Sequence, residues 1–194
     1  MFNDKYGLTR ALLEGRKTMT RRSVPEKLIK AIEGGVPGFA VMESKYKVGE
    51  VVAVAQSYGT ILDELEDPRN FSCMEHWESK SGDRGKYAEM AMYSPGGTNK
   101  MFVLAEEMPH QIRITNVRVE RLQDISDEDS IKEGIEFAMI GGYYVNYNPA
   151  TGSRAWLNGE TCREAFASLI DKVSGKGTWE SNPWVFVYEF ELVK

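Results

Sequence analysis

The sequence predicts one α+β domain in which helices flank a small curved sheet or barrel. Three observations support this class. The strand-like segments are short, and non-repeating elements join them without a βαβ alternation. Glycine and proline stand at many of the junctions between these segments. A length of 194 residues suits one domain with insertions and suffices to bury a core without disulfides.

The N-terminal part of the chain predicts two helices and two extended segments. Residues 6–15 form a short helical pattern that Gly15 ends, and residues 16–22 follow as an extended segment. A second short helix is predicted over 25–35, with proline at its start and two glycines at its end. The valine-rich segment 48–58 is the first clear strand.

The middle of the chain is less regular. We interpret 56–100 as an insertion with little regular structure and one helix near 84–94. Two strands are predicted after it, over 101–105 and 110–122. The period-2 pattern of the second strand breaks near Thr115, which indicates a β-bulge.

The last third of the chain predicts two helices and the closing strand. Ser126 is a good N-cap for a helix over 125–135. Residues 141–159 predict a hairpin or a long loop. A capping box begins the helix over 161–175, and an aromatic-rich strand follows over 182–193.

Charge and cysteine content limit the possible functions. The formal net charge of −5 argues against a general nucleic-acid coat protein, yet residues 16–22 hold four basic residues, two threonines and no acid. Two cysteines far apart indicate reduced thiols, and no apolar run predicts a signal or a membrane span. We therefore expect a cytoplasmic protein that does not enter a membrane.

No cofactor or metal is predicted. The chain has neither a G-x-G-x-x-G nor a G-x-x-x-x-G-K-[ST] phosphate loop. Cys73 and His76 have a metal-like spacing, but a zinc site would also require His110 and Cys162 to converge on them.

Three stretches of the chain together resemble the ASCH family, a branch of the PUA-like superfamily, in the long form carried by phages and prophages. They are LLEGRKTMTRR at 12–22, VERLQDISDEDSIKEGI at 119–135 and NPWVFVYEFELV at 182–193. The resemblance implies a single domain over 1–194, a PUA-like barrel of about five to six strands with helices around a cleft, and insertions at about 56–100 and 136–160.

The resemblance also implies a pocket for RNA, a nucleotide or a modified nucleoside. One shorter branch of the family is an amidohydrolase that deacylates N4-acetylcytidine with a lysine, a threonine and a glutamate. The matching positions here are Lys17, Thr20 and Glu133. In that role Thr20 would attack the amide carbonyl, Lys17 would take its proton, and Glu133 would protonate the leaving amine.

The chemistry of these residue types sets two conditions on such an enzyme. A lysine acts as a base only if burial or neighbouring cations lower its pKa, and Arg16, Arg21 and Arg22 are suitable neighbours. In a regular strand Lys17 and Thr20 would point to opposite faces, so the chain must bend between them. The plain alternative is that this segment is a solvated basic loop.

Ligand binding without catalysis is the leading functional expectation, because arginine forks and hydroxyls suit phosphate oxygens and aromatic rings stack on bases. Beyond the three residues above, the expected ligand contacts are Arg16, Thr18, Arg21, Arg22, Tyr58, Trp156 and Trp179. A third expectation is a phage-associated morphogenetic protein that binds a protein partner through its insertions, because inserted loops often carry partner surfaces.

Overall fold

The computed structural model describes residues 2, 4–66, 85–139, 141–146 and 154–193. These residues divide into two compact units. The main unit comprises Phe2–Val52 and Ile112–Val193, and the insert unit comprises Ala53–Gln111. Cys73 and His76, and with them the zinc possibility, lie outside the described residues.

The described elements define a mixed α+β structure. The helices are α1 (Leu8–Leu13), α2 (Glu26–Glu33), α3 (Pro37–Met42), α4 (Tyr58–Glu66), α5 (85–93), α6 (Asp127–Lys132), α7 (Cys162–Ser174) and α8 (Thr178–Ser181). The strands are β1 (Met19–Ser23), β2 (Val51–Ala53), β3 (Gln111–Arg121), β4 (Glu136–Phe137), β5 (Tyr143–Asn146), β6 (Arg154–Leu157) and β7 (Trp184–Leu192). Short 3-10 helices span Asp4–Tyr6, Pro95–Gly97, Lys100–Phe102, Ala105–Glu107 and Leu122–Asp124.

The larger sheet is a curled, half-barrel sheet with the strand order β1-β7-β3-β2, and helices flank it. The C-terminal strand β7 lies inside the sheet and pairs antiparallel with both β1 and β3. The register along β3 shifts between Ile114 and Asn116, which confirms the predicted bulge.

Alternation along β1 separates two sets of side chains. Met19 joins the core on the face of the sheet that α7 covers through Phe166 and Leu169. Since successive strand residues point to opposite faces, Thr20 lies on the other face, opposite Tyr188 of β7. Residues of β1 therefore contribute to both sides of the sheet.

Both predicted helix caps are present. The Ser126 hydroxyl accepts a hydrogen bond from the Asp129 amide at 3.1 Å, which begins α6. Thr161 and Glu164 form the predicted capping box of α7. These bonds satisfy amide groups that a helix start leaves without intrahelical partners.

The predicted hairpin forms a second, three-stranded sheet with the order β4-β5-β6. Its strands β5 and β6 pair antiparallel, with Tyr144 opposite Trp156. The turn predicted at 148–152 lies outside the described residues. This sheet therefore accounts for the described part of the predicted insertion at 136–160.

The insert unit differs from the prediction in two places. The predicted strand over 101–105 is wrong, because a 3-10 helix occupies Lys100–Phe102 and another begins at Ala105. The helix over 84–94 is confirmed by α5, whereas α4 was not predicted. Tyr58 at the start of α4 is buried and packs with Ile61 and Val103.

No helix among the described residues is long and apolar enough to cross a membrane.

Candidate functional site

The chain bends between α1 and β1, and this bend places Lys17 outside the strand. Gly15 adopts a φ of +73°, a conformation that favours glycine. The amides of Arg16 and Lys17 both bond to the Ala11 carbonyl at 2.9 Å. Since β1 begins only at Met19, strand alternation does not control the direction of the Lys17 side chain.

The Lys17 amine is buried and fully hydrogen-bonded. Its Nζ lies 2.5 Å from Glu133 Oε2 and donates to the carbonyls of Glu133 at 2.9 Å and Met19 at 2.7 Å. The side chains of Lys17 and Glu133 are 2% and 7% exposed. Three acceptors match the three protons of an ammonium group, so this is a satisfied buried ion pair.

Burial lowers the pKa of Lys17, because the charged amine loses its water. The positive charges of Arg22 and Arg21 act in the same direction, whereas the Glu133 carboxylate opposes the shift. A lowered pKa is what a lysine requires to act as a base.

The end of α6 holds Glu133 in place. Glu133 is the C-cap residue, and its amide bonds to the Asp129 carbonyl at 3.0 Å. The next residue, Gly134, adopts a φ of +100°, and a Cβ there would lie 3.5 Å from the Lys17 Cβ. A side chain at position 134 would therefore be strained by the backbone conformation, although its Cβ would make only ordinary contact with the Lys17 stem.

Arg21 is bound by three carboxylates. Its guanidinium contacts Glu120 at 2.6 Å, Asp129 at 3.1 Å and Glu133 at 3.1 Å, and its side chain is 1% exposed. Arg118 contacts Asp129 at 2.6 Å and Glu120 at 3.1 Å. The two arginines thus share two carboxylates, and the charge of Arg21 is balanced inside the protein.

Arg16 connects this segment to the three-stranded sheet. Its guanidinium bonds to Glu14 and, at 2.5 Å, to Glu136 Oε1. Glu136 Oε2 accepts a hydrogen bond from the Tyr144 hydroxyl at 3.1 Å. The Tyr144 ring packs edge-to-face on Trp156, with centroids 5.7 Å apart. Contacts therefore run without interruption from Arg16 to an indole that is 45% exposed.

Thr20 is not hydrogen-bonded to the Lys17–Glu133 pair. It is buried on the face of β1 opposite to that of Arg21, and its hydroxyl makes no hydrogen bond within the described residues. Arg22 shares the parity of Thr20, and its guanidinium lies 5.7 Å from the Phe2 ring. The Lys17 amine lies 5.8 Å from the same ring.

The remaining predicted contacts lie elsewhere. Thr18 is half-buried, and its backbone bonds to the Lys132 carbonyl and the Phe190 amide at 2.9 Å. Trp179 packs edge-to-face on Phe166, with centroids 6.2 Å apart. It also lines an open groove of about 500 Å³ along α7 and α8. Tyr58 belongs to the insert unit.

Several residues of this site were not predicted from the sequence. They are Glu120, Asp129, Arg118, Glu136 and Tyr144. A signal existed for Asp129, because it stands four residues before Glu133 and residues four apart share one face of a helix. The alternation of β3 places Arg118 and Glu120 on one face, but it does not reveal which face is covered.

Comparison with known proteins returned no matching family model, no matching curated protein and no matching solved structure.

Proposed function

We propose that this is an ASCH-type protein that binds a nucleotide or a short RNA segment beside the Lys17–Glu133 pair. The observation that supports the proposal is the 2.5 Å contact between these two residues, which stand 116 positions apart. They are two of the three positions that match the catalytic set of the enzyme branch of the ASCH family. Burying an ion pair costs free energy. Functional sites often contain such pairs because they need charges in fixed positions.

The internal ion pairs determine how such a ligand would be recognised. Lys17 and Arg21 are matched by carboxylates, so their charge contributes little to the attraction of phosphate. Arg16 retains a side chain that is 27% exposed. We expect recognition by hydrogen bonds and ring contacts to exceed phosphate attraction, and binding to depend weakly on salt.

Isothermal titration of the protein with nucleoside monophosphates and short single-stranded RNA tests this proposal. Lys17→Met should weaken binding about tenfold or more, because it leaves the buried Glu133 carboxylate without its nearest cation and so disturbs the end of α6 beside the ligand. Arg113→Met is the matched control, since the Arg113–Glu191 ion pair is exposed. If the wild-type protein binds neither nucleotides nor RNA, the proposal is wrong.

Hydrolysis of an N-acylated cytidine-like nucleoside is the second candidate, and the lowered pKa of Lys17 beside Glu133 favours it. A proton would first pass from the Lys17 ammonium to the Glu133 carboxylate within the pair. The Thr20 oxygen would then attack the acyl carbon as its own proton passes to the neutral Lys17 amine. The C–N bond would then break while Glu133 protonates the departing amine, and water would release the acyl group from Thr20. This step requires the Thr20 hydroxyl to turn toward Lys17.

One substitution distinguishes the binding function from the hydrolase function. Thr20→Val keeps the volume of the side chain and removes its nucleophile. It should retain binding and abolish cleavage of N4-acetylcytidine, while Thr18→Val should leave cleavage intact. Equal cleavage by Thr20→Val and the wild-type protein would exclude Thr20 as the nucleophile.

An exposed apolar group in the insert unit favours a protein partner as a further candidate, in line with a phage-associated morphogenetic role. The residues are Met92, Tyr93, Met101, Phe102 and Leu104, each at least 60% exposed. Exposed apolar side chains mark an interaction surface where they form one contiguous patch. Affinity capture from a phage-bearing host should recover a partner that the double variant Tyr93→Glu/Phe102→Glu loses. Equal recovery by both proteins would contradict this role.

A further inference from the structure

One face of the three-stranded sheet combines an exposed indole with an arginine. Strand pairing places three residues on the same face, because Glu136 is opposite Tyr144 and Tyr144 is opposite Trp156. Arg154, two residues before Trp156 on β6, shares this face by alternation. We call these four residues the outer face. The opposite face includes Val145 and Leu157, which are buried in the core of the main unit.

Packing holds the Trp156 ring in a defined position. The Tyr144 ring supports it edge-to-face, and Gly142 lies beneath its six-membered ring. A Cβ at position 142 would approach the indole to 3.3 Å, so glycine permits this close contact. Trp156 nevertheless remains 45% exposed, and its indole N–H makes no hydrogen bond within the described residues.

The outer face carries one arginine beside its aromatic rings. The Arg154 guanidinium lies 4.5 Å from the centroid of the Tyr144 ring. Lys172 belongs to α7, which packs on the opposite face, and its amine donates to the backbone carbonyl of Trp156 at 3.1 Å. The carboxylate of the outer face, on Glu136, is matched by Arg16 and by the Tyr144 hydroxyl. An anionic ligand with a flat ring is therefore complementary to this face.

We propose that the outer face is a subsite for one unstacked base of single-stranded nucleic acid. The base stacks on the Trp156 indole, and Arg154 contacts a neighbouring phosphate. Bases within a duplex are already stacked on each other and cannot occupy such a platform. This inference rests on the proposed nucleotide- or RNA-binding function and names the class of ligand.

Fluorescence anisotropy with a short labelled single-stranded RNA tests the subsite. Trp156→Ala should weaken binding about tenfold to a hundredfold, while Trp156→Phe, which keeps a stacking ring, should retain most of the affinity. Arg154→Ala should weaken binding and flatten its salt dependence. Phe137→Ala is the matched control, because Phe137 is an exposed aromatic residue on the opposite face of the same sheet.

The annealed duplex of the same RNA is the second probe, and it should bind more weakly than the single strand. Circular dichroism establishes that each variant is folded. Photocrosslinking of a 5-bromouridine strand to the wild-type protein should modify Trp156. If the single strand binds the wild-type protein and Trp156→Ala equally, the subsite is wrong while the proposed function stands. If no nucleotide or RNA binds the wild-type protein, both fail.

Discussion

The Lys17 amine contacts the Glu133 carboxylate and carbonyl at once, at 2.5 Å and 2.9 Å, in a nearly solvent-free position. This double contact joins the segment before β1 to the end of α6. Through Arg21, the same carboxylate also joins β1 to Glu120 of β3. Charged groups therefore connect three elements of the main unit at one point, and changes there should affect both stability and binding.

The pH dependence of stability should report the buried amine. Because burial lowers the pKa of Lys17 below its ordinary 10.5, the unfolded chain holds one more proton between the folded pKa and 10.5. The free energy of unfolding of the wild-type protein should therefore rise with pH in this window relative to Lys17→Met. Urea unfolding at a series of pH values measures the difference.

Lys27→Met is the control for that series, because Lys27 lies exposed on α2. The free energy of unfolding of Lys27→Met should differ from that of the wild-type protein by a constant amount over the same pH window. A wild-type advantage over Lys17→Met that shrinks as pH rises would contradict a lowered pKa at Lys17.

Loss of Arg21 should be among the most destabilising single changes in the main unit. Arg21→Met leaves Glu120, Asp129 and Glu133 without their shared cation, and removing one partner of a buried ion pair costs about 3–5 kcal/mol. Denaturant unfolding measures this loss. Arg113→Met, which breaks an exposed pair, should cost about 1 kcal/mol or less. Similar costs for the two variants would contradict the buried network.

The N-cap of α6 should matter for binding as well as for stability. Ser126→Ala removes the acceptor for the Asp129 amide and should cost about 1 kcal/mol. Thr161→Ala at α7 should cost a similar amount. Since α6 carries Asp129 and ends at Glu133, Ser126→Ala alone should also weaken binding of nucleotides or RNA. Equal losses of affinity in both variants would argue against a specific role of α6.

The Cys162 thiol should resist alkylation in the folded protein. Burial raises the pKa of Cys162 to about 11, and the negative charge of Asp127 acts in the same direction. The thiolate fraction at neutral pH is then about two orders of magnitude below that of an ordinary cysteine, before burial further restricts access. Iodoacetamide labelling with peptide mass spectrometry should modify Cys162 only after denaturant is added. Rapid labelling of the native protein would contradict this.

Local signals in the sequence were sufficient for most elements of the main unit. Ser126 and Thr161 begin helices, and the break in alternation near Thr115 became the bulge in β3. These signals act over a few residues, so they can be recognised in the sequence without knowledge of the fold. The prediction for 101–105 was wrong because a short apolar run is compatible with both a strand and short helical turns.

The site was predicted only in part, because its contacts join distant positions. The basic residues of 16–22 were identified, but their carboxylate partners were not. Glu120, Asp129 and Glu136 meet Arg21 or Arg16 only after the strands of both sheets are in register. Consequently, a segment that looks like a cationic surface is largely neutralised within the protein.

The amino-acid sequence therefore specified the α+β class, the helix caps and the presence of a charged threonine-bearing segment. These properties follow from side-chain periodicity and from hydrogen bonds between near neighbours. Tertiary packing decided three further properties. It determined the face that Thr20 occupies, the acids that bind Lys17 and Arg21, and the contacts that connect Trp156 to Arg16. Desolvation and long-range pairing create those relationships, and neither acts before the chain folds.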